Sequence, residues 1–420
     1  RNAQALGCFY VESPAMRMLL QKLQVDDYLT LVAASSIIRP GVSHSGMMRE
    51  YILRHRFPEK RKNAHPVMME IMPDTYGVMV YQEDVIKVAH YFAGLDLGEA
   101  DVLRRGMSGK FRSRAEFTKV EETYFKNCFA KGHPEELAKE VWRQIESFAG
   151  YAFSKGHSAS YAVESYQSLY LKAHYPLEYM VATINNFGGY YRTEIYVHEA
   201  RMLGATIESP NINEGEYECT IIGKRLILGF NLVQSTESKI LNKIYNERDL
   251  NGKYSSFENL TSRCYIPLEQ LLLIIRVDAL RDLPEDRKSL LWKAHLYHNK
   301  TKDKEPEPEL FPLERKKYNL PKLNDSELER AFEQMELLGF PLCNPFDLLP
   351  KALPNHTLSI DIPQKTGTHV TCYGYLVALK QSKTVQGDYM FFGNFIDIEG
   401  QILDSVHFPE SANRYRFNGK

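Results

Sequence analysis

The sequence predicts a multidomain, mainly α-helical protein with a small β-hairpin region and an all-β C-terminal domain. Three observations predict this class. Apolar residues recur at helical spacing through most of the first 203 residues, two short strand-like runs flank Gly223-Lys224, and apolar and polar residues alternate from Thr368 onwards. With 420 residues and 44% hydrophobic content, the chain is long enough for two to four domains with cores of their own.

The individual elements follow from the spacing of apolar residues and from the Gly and Pro residues between them. Tyr217–Ile222 and Arg225–Gly229 predict a hairpin, and the segment 358–363 reads as a strand that leads into the next domain. The predicted helices are Ala15–Leu23, Leu29–Ile38, Gln82–Ala93, Glu121–Phe129, Pro134–Ala149, Ala159–Ala173, Leu177–Phe187, Glu194–Leu203, Lys239–Glu247, Ser256–Ser262, Pro267–Val277 and Ser326–Gly339.

The composition and the spacing of apolar residues change twice towards the C-terminus. Lys302–Glu309 is rich in charge and proline and poor in apolar residues, which predicts a mobile linker. The last segment alternates as an antiparallel barrel does, with strands at 369–379, 389–396 and 401–408. Its predicted turn, 380–387, carries Lys380 and Lys383 beside aromatic strands. This combination suits single-stranded nucleic acid, although such barrels also bind proteins.

Overall charge excludes long-range attraction to a polyanion. The 52 basic and 53 acidic side chains nearly cancel, so any nucleic-acid binding depends on local clusters. No run of eighteen apolar residues and no charged-then-apolar leader occurs, so a cytoplasmic protein without membrane association is expected. The six cysteines are too scattered for a zinc motif or a disulfide scaffold and are expected to be reduced.

One local cluster lies at a predicted helix start, within Tyr151–Tyr166. It contains Ser154, Lys155, His157 and Ser158. A helix N-terminus has unpaired N–H groups and a partial positive charge, so a lysine, an imidazole and hydroxyls there would complete a phosphate or carboxylate pocket. A capped helix without a ligand is the alternative, because serine is a common N-cap.

A second cluster lies upstream, at 101–114, and includes Arg104, Arg105 and Lys110. Gly106 and Gly109 would let the backbone approach a ligand, and arginine supplies forked donors for phosphate oxygens. The alternative is a solvated loop.

Together with their neighbours, these clusters resemble the alpha subunit of bacterial DNA polymerase III, the C-family replicative polymerases. The resemblance rests on six segments in the family's order and approximate spacing. These are Phe9-Tyr-Val-Glu-Ser-Pro-Ala-Met16, Ile38-Arg-Pro-Gly41 with Ser45-Gly-Met47, Asp74-Thr-Tyr-Gly-Val-Met-Val-Tyr-Gln-Glu83, Leu103-Arg-Arg-Gly-Met107, Phe148-Ala-Gly-Tyr-Ala-Phe-Ser-Lys-Gly-His-Ser158 and Ser165-Tyr-Gln-Ser-Leu-Tyr-Leu-Lys-Ala-His-Tyr-Pro176.

The resemblance implies a fingers domain that closes over the incoming nucleotide and the template end. It implies phosphate binding by the two clusters, to which Lys110 is added as a suitable donor. The residues concerned are Arg104, Arg105, Lys110, Lys155, His157 and Ser158. Arg39 is a weaker candidate for contact with nucleotide or template. Tyr151 and Tyr161 could stack on a base, although such rings more often belong to a core.

The resemblance also implies what lies outside the chain. Family members hold two Mg²⁺ ions on aspartates of a palm domain that precedes the fingers, so the chain is expected to be a fragment that is inactive by itself and holds no metal. Asp361 is a single aspartate and is not expected to bind metal. The implied partners are primer and template DNA, deoxynucleoside triphosphates, the sliding clamp and other replisome subunits.

The family carries a helix-hairpin-helix motif after the β-hairpin, but this sequence departs from the motif. Gln234, Ser235 and Thr236 replace the expected turn glycines, and Glu237 adds a negative charge. Lys239 and Lys243 could still contact a DNA backbone or be solvated. The substitutions lean towards a divergent paralogue, without separating a replicase from a translesion enzyme. A non-catalytic DNA- or protein-binding module on the same scaffold is the second hypothesis.

The expected domain limits follow from these segments. They are a fingers domain at 1–220, a hairpin and degenerate helix-hairpin-helix region at 221–300, a linker at 301–322, a helical connector at 323–366 and an OB-fold domain, cut at its end, at 367–420.

Overall fold

The computed structural model describes residues 2–38, 46–107, 114–147, 154–301, 323–384 and 386–415. The contacts between Cα atoms divide the chain into two compact units, Arg1–Ala173 and His174–Lys420. Both units are mainly helical, and the second also contains two small sheets. The predicted domain limits are finer than this division, and they stay predictions. The predicted linker lies almost wholly outside the described residues.

The first unit is built from helices. They are α1 (Pro14–Leu23), α2 (Tyr28–Ile37), α3 (Met47–Arg56), α4 (Pro66–Ile71), α5 (Gln82–Lys87), α6 (Leu97–Met107), α7 (Arg114–Ala130), α8 (Glu135–Ser147) and α9 (Lys155–His174), with 3₁₀ turns at Pro58–Asn63 and Pro73–Thr75 and a π-helical turn at Val88–Phe92. Side chains near their ends explain several boundaries. Ser13 and Asp27 cap α1 and α2 by accepting backbone N–H groups of Met16 and Thr30.

The predicted single helix over residues 82–93 is an α-helix only in its first half, Gln82–Lys87. In the second half the hydrogen bonds widen to π-helical geometry, with the N–H of Ala93 donating to the Val88 carbonyl. Val88, Ala89 and Phe92 are fully buried, so the wider turn still presents apolar side chains to the core of the unit.

The second unit continues with helices and two three-stranded sheets. Its elements are α10 (Pro176–Asn185), α11 (Thr193–Met202), β1 (Thr206–Glu208), β2 (Thr220–Ile222), β3 (Arg225–Ile227), α12 (Ser238–Asn251), α13 (Phe257–Arg263), α14 (Leu268–Arg276), α15 (Arg287–Thr301), α16 (Glu327–Leu338), β4 (Tyr375–Lys383), β5 (Tyr389–Ile396), β6 (Ile402–His407) and α17 (Pro409–Arg414), with 3₁₀ turns at Phe230–Leu232, Pro345–Leu348 and Ser359–Lys365.

The first sheet has the order β1-β3-β2, in which β2 and β3 form the predicted antiparallel hairpin and β1 pairs with β3 in parallel. Its apolar side chains join those of α10 to α16 in one core. Arg287 is almost fully buried and bonds to Asp325 and Glu333, so it ties α15 to the start of α16. This core supports the region where the helix-hairpin-helix motif was expected.

The second sheet is an antiparallel meander in the order β4-β5-β6. These strands match the predicted alternation, but within the described residues they form no closed barrel, so the OB fold stays a prediction. Lys380 and Lys383 lie within strand β4, opposite Phe392 and Tyr389, and not in the turn as predicted. The strand simply continues further than the sequence pattern indicated.

The expected strand at residues 358–363 was wrong. Ser359–Lys365 forms a 3₁₀ turn. Pro363 has no N–H group to donate to a sheet, and the N–H of Ser359 donates instead to the Asp397 carboxylate at 2.9 Å.

Candidate phosphate-binding site

Helix α9 begins at Lys155, four residues before the predicted start at Ala159, and its start is capped. Ser154 precedes the helix, and its hydroxyl accepts the N–H of His157 at 3.3 Å. His157 is exposed, and the Lys155 side chain is 45% exposed. Both candidate side chains therefore lie at the positive end of the helix, where an anion is favoured.

Ser158 lies on the opposite side of the same turn. It is fully buried, and its hydroxyl bonds to the hydroxyl of Ser36 on α2. The hydroxyl of Ser35 donates to the Ser158 carbonyl at 3.5 Å. In this structure Ser158 thus holds the start of α9 against α2. Its predicted contact with phosphate would require the hydroxyl to leave Ser36.

Lys155 connects the helix start to the segment that precedes α5. Its Nζ lies 3.4 Å from Oδ2 of Asp74 and 5.4 Å from the centre of the Tyr81 ring. Its backbone N–H donates to Oε2 of Glu83 at 2.9 Å. Because Asp74 is 77% exposed, the ion pair is weak and the ammonium group can exchange its carboxylate for another anion.

Arg104 and Arg105 share one carboxylate on α6. The Asp101 carboxylate accepts from Arg104 at 2.7 Å and from Arg105 at 2.9 Å. Arg104 also donates to Oε1 of Gln82 at 3.5 Å. The side chains are 30% and 46% exposed, so both guanidinium groups remain accessible from solvent.

The two basic clusters meet at the first turn of α5. Gln82 contacts Arg104 and the next residue, Glu83, contacts Lys155, so consecutive residues link α6 to α9. Asp84 fixes this turn, because its carboxylate accepts the N–H groups of Val80 and Tyr81, both at 2.9 Å. Burial raises the pKa of Asp84, against the lowering effect of these two bonds.

The sequence pattern named the cations of this candidate site but not the groups that contact them. Asp101 could have been found, because an acid three and four residues before two arginines on a helix predicts ion pairs. Asp74, Gln82 and Glu83 carry no local signal of that kind, because their partners are distant along the chain.

The aromatic candidate Tyr161 belongs to a cluster of rings. Its ring lies 5.7 Å from that of Phe9, edge to face, and 5.1 Å from that of Tyr10. This packing favours the interpretation as a core residue. Arg39, Lys110 and Tyr151 lie outside the described residues.

In the turn of the expected helix-hairpin-helix motif, two backbone N–H groups are already hydrogen-bonded to other residues of this protein. The N–H of Gln234 donates to the Leu337 carbonyl of α16 at 2.8 Å, and that of Glu237 donates to Oε1 of Gln270 at 2.9 Å. Ser235, where a glycine was expected, has a left-handed φ of 62°. Lys239 and Lys243 are exposed on α12. Duplex binding by this turn stays a prediction.

The lysines of the C-terminal sheet are also exposed. Nζ of Lys383 lies 5.1 Å from the centre of the Tyr389 ring on the neighbouring strand, and Lys380 is exposed three residues earlier. A cation beside an exposed ring has the elements of a single-strand contact.

The described residues do not provide a site for the implied Mg²⁺ ions. No group of three or more His, Cys, Asp or Glu side chains in the described ranges could hold a metal. The carboxylates nearest to the phosphate-binding candidates, Asp74, Glu83 and Asp101, each bond to a cation or to a backbone N–H.

No helix within the described ranges is long and apolar enough to cross a bilayer.

Known proteins resemble this chain along nearly all of its length. Residues 1–132 match the finger domain of the bacterial DNA polymerase III alpha subunit, and residues 204–290 match a helix-hairpin-helix motif. DNA polymerase III subunit alpha of Borreliella burgdorferi is 30% identical over 99% of the chain and 38% of its own length. Its counterparts from Aquifex aeolicus and Staphylococcus aureus are 29% and 30% identical over 97% of the chain, and the matches cover 35% and 38% of their lengths.

The chain spans little more than a third of these three relatives. Its finger-domain match covers both the Arg104–Arg105 pair and the Asp74–Glu83 segment that meets Lys155. The chain therefore belongs to the family of bacterial DNA polymerase III alpha subunits.

Proposed function

We propose that this chain is part of a DNA-directed DNA polymerase and that its first unit binds the phosphates of the incoming deoxynucleoside triphosphate. The observation that carries the proposal is that the side chains of Arg104 and Lys155 both lie at the start of α5. The Arg104 guanidinium donates to Gln82, and the Lys155 ammonium lies 5.4 Å from the centre of the ring of the preceding residue, Tyr81. Two basic clusters whose members Arg104 and Lys155 are 51 positions apart in the sequence thereby lie at one helix turn. Their convergence supports one shared ligand, whereas a docking module would not require it.

The polar environment suits exchange of carboxylates for phosphates. Asp101 and Asp74 neutralise Arg104, Arg105 and Lys155 in the structure. A triphosphate offers more negative charge than one carboxylate and accepts bidentate bonds from guanidinium groups, so it would displace these partially exposed acids. His157 and the backbone at the start of α9 would add donors at the positive helix end. Ser158 would contribute indirectly, because its hydrogen bond to Ser36 holds the start of α9 against α2.

Polymerisation itself is mainly a matter of positioning and charge stabilisation. Phosphoryl-type transfer needs the triphosphate held in line with the primer hydroxyl, and cations fixed on rigid helices provide that without reorganisation. When bound, Mg²⁺ would stabilise the attacking and leaving oxygens. We assign its ligands to a palm domain outside this chain, in keeping with the resemblance, because the described residues do not fit the metal.

The remaining parts of the proposal follow the predicted domain limits. Residues 1–220 form the fingers domain, 221–300 the hairpin and altered helix-hairpin-helix region, 301–322 a linker, 323–366 a helical connector and 367–420 an OB-fold domain. Primer and template DNA are the nucleic-acid partners, with Lys239, Lys243, Lys380 and Lys383 as further backbone contacts. The sliding clamp, other replisome subunits and a cytoplasmic location belong to the same proposal.

Single-nucleotide incorporation kinetics test the site in a longer chain that includes the upstream region. Arg104→Ala or Lys155→Ala should raise the KM for the nucleotide and lower kcat, because a charged contact that strengthens in the transition state contributes about 2 to 4 kcal/mol. Arg143→Ala and Lys139→Ala are matched controls, since both residues form comparable exposed ion pairs on α8. Kinetics that are the same in the site variants and the controls would contradict the assignment.

A further inference from the structure

The first unit contains a second concentration of positive charge, separate from the candidate phosphate-binding site. Residues 49–65 include six Lys or Arg residues and only two Glu residues, in a chain whose formal net charge is −1. The segment comprises most of α3 and the 3₁₀ turn Pro58–Asn63. Such a local excess of charge is the usual electrostatic signature of a polyanion-binding surface.

Two of these six side chains are used to build the surface. Arg54 donates to the Tyr76 carbonyl at 2.9 Å, and the guanidinium of Arg61 lies 4.1 Å from the centre of the Tyr76 ring. Nε of Arg61 also donates to the Arg54 carbonyl at 2.9 Å. The 3₁₀ turn is therefore fastened to α3 and to Tyr76, so the residues around it have a fixed position.

The neighbouring side chains face solvent. Lys60 and Lys62 are exposed, Arg56 is half-buried, and none of the three has a carboxylate within ion-pair distance among the residues the structure describes. Between them, the ring of Phe57 is 48% exposed. We refer to Arg56, Phe57, Lys60 and Lys62 as the basic platform. Glu59 is its one acid, and it too is exposed.

The segment 74–76 contacts both the residues that support the basic platform and the candidate phosphate-binding site. Tyr76, which anchors Arg54 and Arg61, lies two positions after Asp74, whose carboxylate pairs with Lys155. A strand of nucleic acid on the platform would therefore lie beside the segment that leads into α5. Both features belong to the first compact unit.

We propose that the basic platform binds single-stranded nucleic acid, with Lys60, Lys62 and Arg56 on phosphates and Phe57 against a base. Unpaired cations alone would suit any phosphate backbone, but an exposed ring among them favours single strands, whose bases are free to stack. This contact goes beyond the nucleotide site proposed above and does not depend on it.

Fluorescence anisotropy with the full chain and a labelled oligo-dT tests the proposal across a range of salt concentrations. Lys60→Ala/Lys62→Ala should weaken binding and reduce the slope of log K against log salt by about 1.4, because each phosphate contact to a single strand contributes about 0.7. Phe57→Ala should weaken binding about fivefold or more with little change in slope, because it removes stacking and no charge.

Lys119→Ala/Lys126→Ala is the matched control, since it removes the same charge from two exposed positions on α7. It should leave both affinity and slope unchanged. Platform variants that behave like this control would overturn the proposal. A larger loss on a blunt duplex than on oligo-dT would overturn the single-strand assignment. The nucleotide site is tested by incorporation kinetics and the platform by oligo-dT binding, so failure of the one and failure of the other give different results.

Discussion

Single residues at the start of α9 show which features of the candidate site the sequence predicts and which it does not. A serine cap was the alternative to a ligand site in this cluster, and the Ser154 hydroxyl does accept the N–H of His157. Burial of Ser158 was not predicted, although Ser158, Ala162 and Ser165 recur at helical spacing and are all buried on α9. Short side chains at such spacing indicate close helix packing. A serine next to a cluster of cations gives no local sign of which way its hydroxyl points.

His198 is a residue whose charge depends on the fold. Its Nε2 lies 2.8 Å from the Gly400 carbonyl. Burial lowers its pKa from the usual value of 6.5, and Arg201 lowers it further, while the bond to Gly400 and the acids Glu199 and Glu194 act in the opposite direction. The unfolded chain therefore takes up a proton at a pH at which the folded chain does not.

This difference predicts how stability depends on pH. The free energy of unfolding should fall as pH decreases through 6.5, by at most about 1.4 kcal/mol per pH unit for one proton, until the lowered pKa is reached. His198→Gln keeps an N–H donor and removes the titration, so its dependence on pH should be shallower. Urea unfolding of both proteins at neutral and mildly acidic pH measures this, and equal slopes would contradict the role of His198.

Among the secondary-structure elements, the turn after β5 packs closely against helix α11, with the backbone of Gly400 beside Met202 and His198. Gly400 follows β5 with a left-handed φ of 82°. A Cβ atom there would lie 2.8 Å from Sδ of Met202 and 3.0 Å from Cε1 of His198. The left-handed turn therefore favours glycine, and a side chain at this position would also have to displace Met202 or His198.

Gly400→Ala should therefore destabilise the second unit more than an ordinary glycine-turn substitution. Gly387→Ala is the matched control, because Gly387 has a φ of 91° and nothing within 4 Å of an added Cβ. The control should lose about 1 to 2 kcal/mol from the left-handed conformation, and Gly400→Ala about 1 to 3 kcal/mol more from overpacking. Urea unfolding compares the two, and losses of equal size would show that the approach to α11 is not tight.

The elements themselves were largely predictable, because most were defined by local patterns. The hairpin β2–β3 and most of the helices follow from apolar spacing and turn residues, whereas α3, α4, α6, α15 and α17 were not predicted. The 3₁₀ turn at Ser359–Lys365 was missed because its conformation depends on Asp397, a distant residue whose carboxylate accepts the N–H of Ser359. The extension of β4 through Lys383 depends likewise on pairing with β5. Non-local hydrogen bonds therefore account for both errors.

Across the whole molecule, we propose nucleotide binding by the first unit and contacts with the DNA backbone by exposed lysines of the second. The family membership rests on similarity along nearly the whole chain, which covers little more than a third of each of the three relatives named above. Within that stretch, one unit brings Arg104 and Lys155 to the same helix turn. This unit is proposed to bind the nucleotide while carboxylates elsewhere hold the metal ions.

Primer extension with Mg²⁺ and all four deoxynucleoside triphosphates tests that claim most directly. It compares this chain with a longer chain that also contains the upstream region. We expect extension by the longer chain alone, and strongly reduced extension when that chain carries Arg104→Ala or Lys155→Ala. A longer chain that binds DNA without extending primers would contradict the claim and favour a docking module, and extension by this chain alone would contradict the assignment of the metal ligands to a separate domain.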